Sequence, residues 1–166
     1  MLPNPFRILR DTDVGRARYA LRAWLIAVVP SLLLFFALVA LGAASLRPPA
    51  QPSDALAIGY SVLLAPVIET ALMLVLAWPL NRALRGHEGL RIVVLAVACA
   101  LAHSPGGGWR QAVNALWPFL VYAATLVNWL KRSNRDAFAV TAIVHGLYNA
   151  TFFAVGALGA LVSAKA

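Results

Sequence analysis

Five apolar runs divide the chain, and nearly all of its charged residues lie between them. The runs extend from about Ala23 to Leu46, Ala55 to Leu80, Leu90 to His103, Gly108 to Leu130 and Ala137 to Val162. Four of them reach the roughly 20 residues that a helix needs to cross the hydrocarbon core of a bilayer. The third has about 14 residues, which at about 1.5 Å per residue covers about 21 Å. It is expected to tilt, to continue into Ser104-Pro105-Gly106-Gly107-Gly108, or to end inside the protein, because non-helical backbone at membrane depth needs protein or a cavity around it. This pattern predicts an all-α fold, a polytopic membrane helical bundle of about five transmembrane helices. Residues 1–22 are expected to form a basic cytoplasmic arm, and residues 23–166 a single transmembrane domain. The arm is predicted to be retained, because its basic part is long and the apolar run after it is about twice the core of a cleavable signal peptide.

The basic residues set the predicted orientation. Only 12% of the chain is charged and 61% is hydrophobic, against about 25% charged in a soluble domain. The net charge of +8 does not point to nucleic acid, because the cations cluster between apolar runs, as in loops beside anionic lipid. With the N-terminus inside, the cytoplasmic side holds eleven basic residues: Arg7, Arg10, Arg16, Arg18, Arg22, Arg82, Arg85, Arg91, Lys131, Arg132 and Arg135. The other side holds three, Arg47, Arg110 and Lys165. This positive-inside asymmetry requires an odd number of spans and places the C-terminus outside. Trp24, Trp78 and Trp129 fall near the inner ends and Trp109 near the outer end, the positions of interfacial aromatic belts. Pro48-Pro49 and Pro52 mark the first outer turn. The single cysteine, Cys99, excludes an internal disulfide and reads as a small buried hydrophobe.

Against this apolar background, Glu69 stands out. It is the only acidic residue inside any of the long runs, and an acidic side chain at membrane depth costs roughly 2.5–3.5 kcal/mol. Such a residue needs a partner. His103 lies in the third run, and His145 and Asn149 lie four apart on one helix face in the fifth. Counted from the inner ends of their runs, Glu69, His103, His145 and Asn149 sit at depths of about 16, 20, 12 and 18 Å. Polar groups on three helices at one depth point to one site. Pro66, three residues before Glu69, withholds the N–H that would bond the Val62 carbonyl, and reads either as a break that admits water or as a packing kink.

The chemistry open to such a site is narrow. The chain has no Gly-x-Ser-x-Gly element, and Ser104 beside His103 lacks the base arrangement of a serine hydrolase. A carboxylate and an imidazole acting on one water molecule would make a nucleophile by general base catalysis. His145 and Asn149 would then donate to a tetrahedral oxyanion, at roughly 3–4 kcal/mol per well-placed donor. Glu69, His103 and His145 also make a possible zinc set. Spacing leaves metal-bound and carboxylate-activated water both open, and no cofactor is the favoured reading.

Three runs, Pro66-Val-Ile-Glu69-Thr70, Ala98-Cys-Ala-Leu-Ala-His103 and Ile143-Val-His145-Gly-Leu-Tyr-Asn149, carry a resemblance. They look like the three motifs of the CAAX-protease and bacteriocin-processing family, in order, over roughly residues 55–155. That family's motifs are Glu-Glu-x-x-x-Arg, Phe-x-x-x-His and His-x-x-x-Asn/Asp. The resemblance implies a glutamate-dependent intramembrane endopeptidase of the bacterial inner membrane, acting on a membrane-anchored protein or peptide. Glu69 and His103 would activate water, and His145 and Asn149 would stabilise the oxyanion. Thr70, Leu74 and Cys99 depart from the usual glutamate, arginine and phenylalanine. Losing the acid and the base together leaves no orphan charge. Thr70 is expected to bond a backbone carbonyl.

Other readings of the same residues are a non-catalytic scaffold or bacteriocin-immunity protein and a proton- or ion-coupled transporter using Glu69. Tyr122, Tyr148, Asn114 and Asn128 are expected to pack or to sit near interfaces. His87 belongs to a solvated loop, and Gly106-Gly107-Gly108 is expected to form a turn without phosphate-binding character. If the site is real, Glu69 and the two imidazoles should converge within about 6 Å, the reach of one water molecule.

Overall fold

The computed structural model describes residues 5–41 and 55–163, and every regular element among them is helical. The order is α1 (Pro5–Ile8), a 3₁₀ turn (Thr12–Val14), α2 (Arg16–Ala40), α3 (Ala55–Gly59), a π turn (Tyr60–Leu64), α4 (Ala65–Ala83), α5 (Glu88–Ala102), α6 (Ser104–Trp129) and α7 (Asn134–Ser163). The expected first outer turn, with Arg47, and Lys165 lie outside the described residues.

Four helices are long and apolar enough to cross a membrane: Arg16–Ala40, Tyr60–Ala83, Gln111–Trp129 and Asn134–Gly159. The third predicted run becomes α5, and its 15 residues fall short of that length. The surface is what a bilayer requires and water would reject. Leu33, Leu72, Val75, Leu101 and Leu158 are all more than half exposed, an apolar exterior far beyond the patches of a soluble monomer.

The helices are arranged around α6. Two thirds of the apolar window of α6 is buried (67%), against 17–22% in the other three long helices. Its buried positions Phe119, Val121, Tyr122, Ala123 and Leu126 meet Leu95, Ala96, Ala100, Val140 and Val144 in one core. Small residues such as Ala23, Ala27, Ala77 and Ala137 let the helices approach closely. The chain turns from α5 into α6 through His103, and Gly108 (φ 64°, ψ −166°) breaks the new helix once. That conformation is open to glycine and strained for any other residue. The expected turn at Gly106–Gly108 is thus helical except at this one residue.

Proline in α2 shows how the bundle satisfies its backbone. Pro30 cannot donate to the Ile26 carbonyl four residues earlier. The indole Nε1 of Trp117 on α6 donates to that carbonyl instead, at 3.0 Å. Trp117→Phe keeps the ring and removes the donor, so it should lower stability by about 1–3 kcal/mol, read as a fall in thermal midpoint in detergent.

The described part of the N-terminal arm expected over residues 1–22 packs onto the bundle. Helix α2 begins at Arg16, and Leu9 and Tyr19 are each 1% exposed within the core. The Tyr19 hydroxyl donates to the Leu9 carbonyl at 2.8 Å. Ion pairs join the segment to the two links at the same end of the bundle. Arg16 meets Asp136 at 2.6 Å, Glu88 meets Lys131 at 2.5 Å and Arg10 at 3.8 Å, and Arg132 meets Asp13 at 3.0 Å. Exposed pairs of this kind contribute only about 0–1 kcal/mol each, so the burial of Leu9 and Tyr19 does more to dock the segment. The N-terminal segment, the α4–α5 link and the α6–α7 link therefore share one end, called here the arm end.

Trp129 corrects the expectation of an interfacial belt. It is 1% exposed and packs edge-on against Tyr19 at 5.3 Å between ring centroids. Trp78 and Trp109 are exposed, as belts require, and the Arg82 guanidinium lies 3.8 Å over the Trp78 ring.

Candidate active site

The site begins with the break at the start of α4. The Ala65 N–H bonds the Tyr60 carbonyl, five residues back, which makes the π turn. The next donor in line would be the N–H of Pro66, and proline has none. The Ser61 carbonyl is therefore left without a helical partner. Asn149 supplies one, donating from Nδ2 at 2.9 Å. One turn earlier on α7, Gly146 lies so close to the break that an added Cβ would stand 3.0 Å from the Val62 carbonyl oxygen. Pro66 is thus a docking point for α7, the packing reading of the two its position allowed.

This docking fixes where Glu69 points, one turn farther along α4. Its Oε2 lies 3.5 Å from His103 Nε2 and 3.5 Å from His145 Nε2. The three groups predicted to converge do so, well inside the reach of one water molecule. Counted from the helix ends at Ala83, Glu88 and Asn134, they sit about 21, 22 and 16 Å from the arm end. Glu69 and His103 are about one third exposed, whereas the His145 side chain is 6% exposed. Four other acids, Asp11, Asp13, Glu88 and Asp136, face arginine or lysine at the arm end. Among the described residues Glu69 alone meets only imidazoles.

Hydrogen bonding restricts the protons. His103 caps α5 and its Nδ1 lies 2.9 Å from the Cys99 carbonyl, which can only accept. Nδ1 therefore carries a proton, and in the neutral ring Nε2 presents a lone pair to Glu69. Two lone pairs do not face each other unassisted, so the 3.5 Å gap holds a shared proton or is bridged by water. On the other ring, His145 Nδ1 is buried without a partner in the protein.

Aromatic rings from α6 hold both imidazoles. Tyr122 stacks on His145 at 4.4 Å and 25°, and Phe119 lies 4.8 Å from His103 and 5.9 Å from His145. Tyr122 packs, as expected, but its partner is the site itself. Phe119 was not singled out in the sequence. Its signal was an aromatic pair three apart on the fourth run, at the depth of the histidines.

One expectation needs correction and a second is narrowed. Thr70 is fully buried, yet its hydroxyl makes no hydrogen bond, to a carbonyl or anything else in the protein. Asn149 lines a cleft of about 300 Å³ with His103 and His145, but its amide already serves the Ser61 carbonyl, so at most its second N–H is available to an oxyanion. Cys99 is buried and unbridged, as expected, and Leu74 packs against the core. Among the described residues no three His, Cys, Asp or Glu side chains are set to hold a metal ion. The cleft meets an apolar groove of about 490 Å³ between α2 and α6, with Asn114, Tyr148 and Phe152 common to both.

Comparison with protein-family models, with curated proteins and with solved structures found no match.

Proposed function

We propose that this chain is an intramembrane endopeptidase that hydrolyses a peptide bond of a membrane-anchored protein or peptide. The observation that carries the reading is one carboxylate oxygen 3.5 Å from two imidazole nitrogens on different helices. Glu69 accepts a proton from a water molecule that His103 orients, and the hydroxide oxygen attacks the carbonyl carbon of the scissile bond. The negative charge passes to the carbonyl oxygen, where His145 and the free N–H of Asn149 donate to it. The tetrahedral species collapses as the C–N bond breaks, and Glu69 returns its proton to the leaving amine. One water is consumed, and one carboxylate and one amine are released.

The resemblance to the CAAX-protease and bacteriocin-processing family supports this reading. So does the apolar groove beside the cleft, which suits a substrate presented from the membrane. The location we assign is the bacterial inner membrane, with five spans and a cytoplasmic N-terminus, as the basic loops require. Under this scheme the residues need no metal, and chelation should leave the rate unchanged.

The test is cleavage of membrane-anchored peptides by the protein reconstituted in proteoliposomes, with fragments identified by mass spectrometry. Cleavage that disappears in His145→Ala, in protein that remains folded, supports the proposal. Full activity in that variant would end it. A second reading, a non-catalytic scaffold or immunity protein, has one observation in its favour: the Asn149 amide is engaged in holding α4 to α7. It predicts that His145→Ala weakens stability or partner binding and that no peptide is cut.

A further inference from the structure

We infer that the arm end of the bundle binds one anionic phospholipid, in a groove between α5 and α6 that the docked N-terminal segment completes. The groove has a volume of about 210 Å³ and is walled by Ile92 and Val93 of α5 and by Leu120 and Ala124 of α6. Its polar lining is Arg10 and Asn128. Leu120, Ala124 and Asn128 recur every four residues and share one face of α6, over about 12 Å of helix. Asn128 is next to the last residue of α6, and Gly89, also in the lining, is next to the first of α5. The polar end of the groove is therefore the arm end, and its apolar end lies deeper in the bundle.

Donors without acceptors set this groove apart from the rest of the apolar exterior. The Arg10 guanidinium has five N–H groups and makes no hydrogen bond among the described residues. Its nearest acid, Glu88, is 3.8 Å away, beyond hydrogen-bond reach, and the other Glu88 oxygen is held by Lys131 at 2.5 Å. Asn128 is 2% exposed. Its Oδ1 accepts from Lys131 Nζ at 3.1 Å, which leaves Nδ2 without an acceptor among the described residues, in a side chain that lines the groove. A donor so deeply placed calls for an acceptor. Two cations, Arg10 and Lys131, face one acid there, so the local balance is positive.

The ligand that fits has negative charge and acceptor oxygens at one end and hydrocarbon at the other. Phosphate and ester oxygens accept and do not donate, which suits a guanidinium and an amide N–H. An acyl chain suits the four apolar walls. A zwitterionic lipid would bring an ammonium group toward Arg10 and Lys131, so the anionic class is the one assigned. Basic pockets between spanning helices bind such headgroups. A lipid seated here ties the N-terminal segment, through Arg10, to α6, through Asn128, where the exposed ion pairs alone contribute little.

Native mass spectrometry of the full chain tests this, after incubation in detergent with equal amounts of phosphatidylglycerol and phosphatidylcholine of the same acyl chains. The wild type should retain one phosphatidylglycerol in preference. Arg10→Gln should reduce the preference about fivefold, the effect of one basic residue beside a headgroup. Gly89→Leu should abolish retention while leaving the lipid-free thermal midpoint unchanged, because a Cβ at Gly89 meets nothing within 4 Å and the side chain enters open groove. Equal retention of the two lipids, or a preference left intact by either variant, would overturn the inference. So would displacement of the lipid by inorganic phosphate, the mark of a plain anion site, or a lipid-free dimer that Gly89→Leu splits, the mark of an interface between copies. These readouts do not involve peptide cleavage, so this inference and the proposed hydrolysis stand or fall separately.

Discussion

Glu69→Gln is expected to lower the rate of peptide cleavage by about 10²–10⁴-fold, the usual contribution of a general base, and to leave the fold intact. The amide keeps the volume and the hydrogen-bonding shape of the carboxyl group but cannot accept the proton of water. The helix that carries it does not depend on the charge, because Pro66, Thr70, Met73 and Ala77 anchor the buried face of α4. Removing a carboxylate from membrane depth also removes a cost of roughly 2.5–3.5 kcal/mol, so the thermal midpoint should hold or rise. Glu88→Gln is the matched control. It loses an ion pair with Lys131 at the arm end, far from the imidazoles, and its cleavage rate should stay within about twofold of wild type, since exposed pairs contribute little. Initial rates at saturating peptide, with thermal melts of the same samples, read both outcomes.

Gly146→Val should produce the largest loss of stability. The Cβ would meet the Val62 carbonyl oxygen at 3.0 Å, and the obstacle is backbone, which cannot swing aside as a side chain can. Overpacking of this kind costs about 1–3 kcal/mol. The same displacement lifts Asn149, one turn on, away from the Ser61 carbonyl that neither Ala65 nor Pro66 can serve. A buried carbonyl left without a donor adds about 1–3 kcal/mol. A total near 4 kcal/mol corresponds to a fall of about 8–16 °C in thermal midpoint for a chain of this size. Asn149→Leu should reproduce the second part alone, so its midpoint should lie between those of Gly146→Val and wild type. Circular dichroism melts in one detergent separate the three.

The all-helical fold and the depth of the site were legible because bilayers impose lengths. A run of about 20 apolar residues has few alternatives, and 1.5 Å per residue converts position into depth. Depth alone brought Glu69, His103 and His145 onto one level. What depth does not give is the neighbour across the interface. Trp129 has the sequence position of an interfacial tryptophan, yet it is buried with Tyr19 packed edge-on against it. Thr70 has the chemistry to bond its own helix, and packing places it fully inside without that bond. Asn149 lay on the predicted face, but its amide was claimed by a carbonyl that Pro66 had orphaned on another helix.

One signal was present and unread. Of the four long helices, the window on α6 is the least apolar and the most buried. A helix surrounded by protein need not satisfy lipid, so Tyr122, Thr125 and Asn128 on the fourth run marked it as the centre of the bundle. With α6 in the centre, the rings of Phe119 and Tyr122 fall against the two histidines.

The central claim is that one carboxylate at membrane depth serves both imidazoles. Nitrogen NMR of labelled histidine in the full chain tests it directly, comparing wild type with Glu69→Gln. The account predicts that the ring nitrogen signals of His103 and His145 both move, while those of exposed His87 stay in place. A shift at one histidine alone, or at neither, would contradict it.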